Sequence, residues 1–162
     1  MNTLARQEPI RSQQSDQSAA FTRPLGTAIA LILRCAHYRV LRVASVGAWL
    51  QSPLLLKQIH FFYDTLGTPT GYVTWAYLTP EVERRLISDP AFLLHFSEWN
   101  EGERLWLIDF VAPNGMVREM VAYMRRNMFS DFREVRYVRR DAAGRVRKVC
   151  VWSHAQHTVG RE

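Results

Sequence analysis

The chain is predicted to form a single mixed α/β domain of the α+β type, with a mostly antiparallel central sheet flanked by helices. Three observations carry this. Aromatic and β-branched runs recur at Ile59–Tyr63, Gly71–Leu78, Arg104–Val111, Arg133–Arg139 and Arg145–Trp152. Two neighbouring pairs of these runs are joined by the short turn-forming stretches "DTLGTPT" and "DAAG", as hairpins require. Segments of helical periodicity lie before the first run, between the second and third, and between the third and fourth. With 162 residues the chain can close a core without disulfide or metal staples.

Taken in order, residues 1–23 are polar, rich in Gln and Ser and without apolar periodicity, so a flexible tail is expected, followed by a folded domain over 24–162. The apolar run "PLGTAIALIL" stops at Arg34, short of the roughly 18 residues that a membrane-spanning helix needs. Leu33-Arg34-Cys35 supplies neither the small residues of a signal-peptide site nor a lipoprotein site, so the run reads as a first buried helix. That helix is expected over Thr27–Leu50, with Val43–Gly47 as the place for a break and Pro53 as its end. Thr79-Pro80-Glu81 combines a capping hydroxyl, a proline at the first helical position and an acid in the first turn, and predicts a short helix to about Ser88. After the strand Arg104–Val111 and the loop "APNG", a second helix carries Val117, Met120, Val121, Met124 and Met128 on one stripe.

The formal charge is +6, and its distribution is uneven. Ten basic and four acidic residues lie between Arg118 and Lys148, an excess equal to the whole net charge. Such a face suits an anionic partner, whether nucleic acid, a membrane surface or an acidic protein, although a solvated surface has the same composition. The two cysteines, Cys35 and Cys150, show no CxxC or Cys/His spacing, so no metal site or disulfide framework is indicated and a reduced, cytoplasmic setting is expected.

No Walker loop, GxGxxG, GxSxG elbow or HExxH motif is present. What remains is an oddity in "RLWLIDFVAPNG", residues 104–115, where an apolar strand carries the carboxylate Asp109 near its end. Strict alternation puts Leu105, Leu107 and Asp109 on one face and Trp106, Ile108 and Phe110 on the other. A carboxylate on an apolar face is expensive unless something holds it. Of the five histidines, His60 opens an aromatic strand, His95 lies in an irregular stretch, and His154 and His157 fall near the end. His37, in "RCAHYR", sits where the apolar stripe of the first helix gives way to charge. Asp109 and His37 are therefore the best acid/base pair on offer, the carboxylate orienting the ring and stabilising its protonated form. Their separation in sequence neither supports nor excludes contact.

"EWNEGERLWLIDFVAPNG" resembles the signature of the RTX toxin-activating lysine acyltransferases, a divergent branch of the GNAT acetyltransferases. "PTGYVTWAYL" is similar to that family's Val-Ala-Tyr-Cys-Ser-Trp-Ala strand, and "YMRRNMFSDFREVRYVRRDAAGRVRKV" to its C-terminal helix and basic strands. The resemblance covers about residues 25–154 and implies a GNAT-like domain. It also implies transfer of a fatty acyl group from acyl carrier protein to internal lysines of an RTX protoxin, in the cytoplasm and by a homodimer. The family pairs an Asp in the strand block, here Asp109, with a His in a Ser-Pro-Leu-His-Arg motif, matched by position by His37. Arg34-Cys35-Ala36-His37-Tyr38 lacks that motif's Ser and Pro, while "QSPLLLK" at 51–57 has Ser-Pro-Leu but Leu55 in place of His.

The chemistry that follows is attack of a neutral lysine amine on a thioester. A well-placed base, His37, is worth roughly 10²–10⁴ in rate. The chain lacks the pyrophosphate loop by which GNAT enzymes hold coenzyme A, so a carrier-bound donor is expected as co-substrate, with no other cofactor and no metal. Acyl carrier protein is acidic, and Arg125, Arg126, Arg136 and Arg139 are the expected docking cations. Trp75, Trp106, Phe110 and the methionines of the second helix are candidates for the acyl path, and equally ordinary core residues. Two other readings stand beside this one: a relative that kept the fold and lost activity, and a basic binding module in which Tyr137 and Trp152 stack on single-stranded nucleic acid. The acyltransferase reading expects no nucleic-acid partner.

Overall fold

The computed structural model describes residues 16–38, 43–141 and 144–153. Along the chain these form α1 (Asp16–Ile32), a 3-10 turn (Ala36–Tyr38), α2 (Val43–Leu55), β1 (Ile59–Tyr63), β2 (Pro69–Leu78), α3 (Pro80–Ser88) and a second 3-10 turn (Phe96–Trp99). There follow β3 (Arg104–Val111), α4 (Val117–Tyr123), which runs on as a π-helical turn (Met124–Met128), then β4 (Glu134–Arg140) and β5 (Val146–Ser153). The architecture is the expected mixed α+β domain, and every expected strand is present.

The first helical region differs from expectation. Instead of one helix over Thr27–Leu50 there are two, and the break falls at 33–38 rather than at Val43–Gly47. Leu33 is turned outward at 70% exposure, whereas Cys35 is buried. The chain leaves the helix through tight bonds from Arg34 N–H to the Leu31 carbonyl and from Cys35 N–H to the Ile32 carbonyl, so it reverses before the apolar stripe has run out. Helix α1 begins at Asp16, so residues 16–23 of the expected tail are helical. Pro53 lies inside α2 and does not end it.

The sheet has the order β1-β2-β3-β4-β5. Neighbours are antiparallel except β3 and β4, which are parallel and joined through the crossover formed by α4. Their ladder has a single pair, Trp106 with Arg136. One face of the sheet packs Val73, Leu105, Leu107 and Val135 against Met120, Met124 and Phe129 of the crossover. The opposite face holds two separate clusters. Tyr72 and Val111 pack under α1 and α2 with Ala28, Leu31 and Leu50. Ala76, Leu78 and Trp106 pack under α3 with Val82, Leu86 and Trp99. Helix α3 starts as its sequence predicts, with the Thr79 hydroxyl accepting from the Val82 N–H at 3.3 Å and Pro80 at the first position.

Candidate active site

Strict alternation fails on β3 at the point that matters for the site. Thr74 pairs with Asp109, but the next residue of β2, Trp75, pairs with Leu107. Ile108 is the additional residue of a β-bulge, and the face of every later side chain is switched. Asp109 and Val111 thus join Trp106 on the α1–α3 side of the sheet, and Phe110 joins Leu105 and Leu107 on the α4 side. The expected placement of Asp109 with Leu105 and Leu107 is corrected. With Ile108 kept and no bulge, the carboxylate would enter the apolar cluster beneath α4, away from Tyr38, Trp49 and Tyr72.

On its actual face Asp109 is 8% exposed and is held by four donors. Its Oδ1 accepts from the Tyr38 hydroxyl and, at 2.9 Å, from the backbone N–H of Phe110. Its Oδ2 accepts from Trp49 Nε1 at 3.0 Å and from the Tyr72 hydroxyl at 2.9 Å. The donors come from the first 3-10 turn, α2, β2 and β3, so one carboxylate ties together four parts of the fold. Burial, and then the charge of Asp109, push both phenols far above the ordinary tyrosine range. Tyr38 and Tyr72 therefore remain neutral donors at any working pH. The same two causes raise the pKa of the buried Cys35 thiol, with Arg34 opposing them.

His37 lies in the 3-10 turn next to Tyr38, within the segment fastened to Asp109. Its side chain lies outside the described residues, as do His154 and His157. The turn is also held at its start, where Arg34 Nη2 donates to Asn114 Oδ1 at 2.5 Å, across to the loop that follows β3.

The remaining candidates divide between the two faces. Trp75 is half-buried on the α4 side, edge-on to Phe129 at 5.6 Å, near Phe110 and the methionines of the crossover. Trp106 is fully buried on the α3 side, so the two tryptophans do not share a surface. Arg125, Arg126 and Arg139 are exposed. The Arg125 guanidinium lies 5.7 Å from the Trp152 ring, and Arg126 Nε donates to the Ala122 carbonyl at 3.3 Å. Arg136 sits on the other face and is committed to carboxylates, Glu83 at 3.1 Å and Glu134 at 3.0 Å. Glu83, itself buried, also takes Arg104 at 2.6 Å.

Tyr38, Trp49 and Tyr72 were not legible as site residues, because their role depends on the bulge that turns Asp109 toward them. One further group stands out at the site. Thr74, opposite Asp109 in the ladder, is fully buried and its hydroxyl has no hydrogen-bond partner. Leaving such a group unpaired costs about 1–3 kcal/mol. No group of side chains arranged to hold a metal ion occurs among the described residues, and among them no helix is long and apolar enough to cross a membrane.

Comparison with known proteins gives a consistent picture. A family model described as the RTX toxin acyltransferase family matches residues 17–153. A leukotoxin-activating lysine-acyltransferase of Aggregatibacter actinomycetemcomitans is 32% identical over 49% of this chain and 48% of its own length. A lysine-acyltransferase of Vibrio cholerae is 28% identical over 61% of this chain and 66% of its own. A protein-lysine myristoyltransferase of Kingella kingae is 39% identical over 43% of this chain and 42% of its own. The chain thus spans about two fifths to two thirds of the length of these curated relatives.

Proposed function

Because this chain belongs to the RTX toxin acyltransferase family, we propose that it transfers a fatty acyl group from acyl carrier protein to the ε-amine of internal lysines of an RTX protoxin and so activates it. The observation that carries the reading is Asp109, a buried carboxylate held by four donors beside the segment that bears His37. In this scheme His37 takes a proton from the lysine, the amine attacks the thioester carbon, and the tetrahedral intermediate collapses with loss of the carrier thiolate. With its acceptor positions filled, Asp109 acts on His37 through charge and through Tyr38. The carboxylate stabilises the imidazolium that forms, and the Tyr38 bond fixes the turn that carries the ring.

Arg125, Arg126 and Arg139 are the proposed carrier-docking cations, with Arg136 contributing from its ionic cluster, since acidic partners are steered by such charge. Trp75 and the crossover methionines form the proposed acyl path. The scheme needs no cofactor beyond the acyl-carrier co-substrate, and a cytoplasmic homodimer completes the proposal.

The test is the intact mass of an RTX protoxin fragment after incubation with this protein and a panel of acyl carrier proteins bearing different chains, with His37→Ala in parallel. An added acyl mass that is absent with the variant supports the reaction and the base together. No added mass with any donor overturns the acyltransferase reading in favour of a non-catalytic relative or binding module. Full transfer by His37→Ala leaves the enzyme standing and removes His37 as its base.

A further inference from the structure

The acyl transfer proposed above needs a donor for the oxygen of the reacting carbonyl, and Asp109, Tyr38, Trp49 and Tyr72 are all engaged with one another. Thr74 is not. It shares its face of β2 with Tyr72, two residues before it, and Ala76, two residues after it. Tyr72 belongs to the apolar cluster beneath α1 and α2 and Ala76 to the cluster beneath α3, with Thr74 between them on the strand. It therefore lies at the seam between them, directly across the ladder from Asp109, at the bulge that turns the carboxylate to this face. At this seam the sheet presents one hydroxyl, fully buried and without a partner, beside a carboxylate whose own hydrogen bonds are complete. Buried polar groups in folded proteins are almost always paired, so an orphan of this kind calls for an explanation.

We propose that Thr74 is a catalytic residue of the acyl transfer, its Oγ–H donating a hydrogen bond to the carbonyl oxygen of the transferring acyl group. As the lysine nitrogen bonds to the thioester carbon, the C=O π pair moves onto that oxygen, and the Thr74 hydroxyl stabilises the charge without giving up its proton. When the intermediate collapses, the pair returns to form the amide carbonyl, the C–S bond breaks and the thiolate leaves. The lysine proton goes to the base, so Thr74 ends the cycle unchanged. A hydroxyl kept free of protein partners is suited to this task, because no existing bond has to break before it meets the oxyanion.

The assignment rests on the acyltransferase reading, and the experiment separates the two. Thr74→Val keeps the shape of the side chain and removes only the hydroxyl, while Thr74→Ser keeps the hydroxyl and removes a methyl group. Acyl transfer to a protoxin fragment would be followed by mass for the parent and both variants, with thermal unfolding of each. The expected result is that Thr74→Val lowers kcat by about 10²-fold with little change in KM. Its Tm is expected to equal or exceed the parent's, since an unpaired buried group has gone. Thr74→Ser is expected to retain kcat within about threefold. A Val variant as active as an active parent overturns the assignment and leaves the reaction intact. A Ser variant that falls as far as the Val variant also overturns it, because the loss then belongs to packing. A parent that acylates nothing overturns both the reaction and the role of Thr74 in it.

Discussion

Tyr72 of β2 reaches diagonally to Asp109 of β3, its phenol donating to Oδ2 at 2.9 Å in a site almost closed to water. Removing the hydroxyl leaves a buried carboxylate oxygen with one donor, Trp49, in place of two. Hydrogen bonds to charged groups contribute about 1.5–3 kcal/mol. Tyr72→Phe is expected to lower the unfolding free energy in urea by about 2 kcal/mol without altering the m-value. A loss below about 0.5 kcal/mol would mean that the phenol is not needed to hold the carboxylate.

The bulge at Ile108 makes a sharper prediction. Deleting Ile108 makes Leu107 and Asp109 consecutive in an unbroken ladder, which leaves Asp109 on its present face with its three side-chain donors. The deletion is therefore expected to retain cooperative thermal unfolding and the near-ultraviolet circular dichroism of the buried aromatic residues, and loss of either would show that the additional residue is itself needed to seat the carboxylate. Replacing Ile108 by Val keeps the bulge and should cost only about 1 kcal/mol.

Gly102 packs directly on the end of β2. A Cβ there would lie 2.0 Å from the Leu78 carbonyl carbon and 2.3 Å from the Thr79 nitrogen, both backbone atoms that cannot swing aside. Gly102 also donates its N–H to the Tyr77 carbonyl at 2.9 Å. Gly102→Ala is therefore expected to destabilise by about 3 kcal/mol or more. At Gly67, in the β1–β2 turn, a Cβ meets nothing within 4 Å but the φ is +78°. Gly67→Ala should cost only about 1 kcal/mol, for the left-handed backbone alone. Urea midpoints for the two variants would separate crowding from strain.

His60 predicts a pH dependence of stability. Its ring stacks on Tyr123 at 5.4 Å and meets Phe62 edge-on at 5.0 Å, and burial lowers its pKa below the ordinary histidine value. The folded state keeps this imidazole neutral while the unfolded chain takes up a proton below about pH 6.5. Unfolding then binds protons, so this contribution to stability is full above pH 6.5 and declines as pH falls toward the lowered folded value. His60→Phe should remove that part of the decline, measured as the difference between the two urea stability curves from pH 7.5 to 5. Parallel curves would show that His60 does not titrate differently on folding.

How much of this was legible in the sequence depends on the range of the interaction. The strands and α3 follow from local signals, namely the alternation at Gly71–Leu78 and the Thr79-Pro80 start, and both are present as read. The carboxylate at 109 was conspicuous because it broke an apolar pattern. Its partners were not, because Tyr38, Trp49 and Tyr72 lie in three different elements and converge only through long-range packing. The bulge escaped notice for a related reason, since one additional residue in a strand leaves no trace in composition. The break between α1 and α2 was misplaced because the run from Ile29 to Leu33 is apolar past the point where the chain turns outward. Among the arginines, charge alone could not separate Arg136, occupied by Glu83 and Glu134, from Arg125 and Arg126, which face solvent.

The single parallel pair between β3 and β4 has a mechanical meaning. Three strands on one side and a hairpin on the other meet at Trp106 and Arg136, and the joint is bridged by Glu83, whose carboxylate grips Arg104 of β3 and Arg136 of β4 at once. The protein therefore resembles two stiff plates fastened by an ionic rivet. Such a fastening yields to salt more than hydrophobic packing does, because both arginines are partly open to solvent. As ionic strength rises, the amide protons of β4 and β5 are expected to exchange with solvent sooner than those of β2 and β3, and Glu83→Gln should bring that earlier exchange on at low salt.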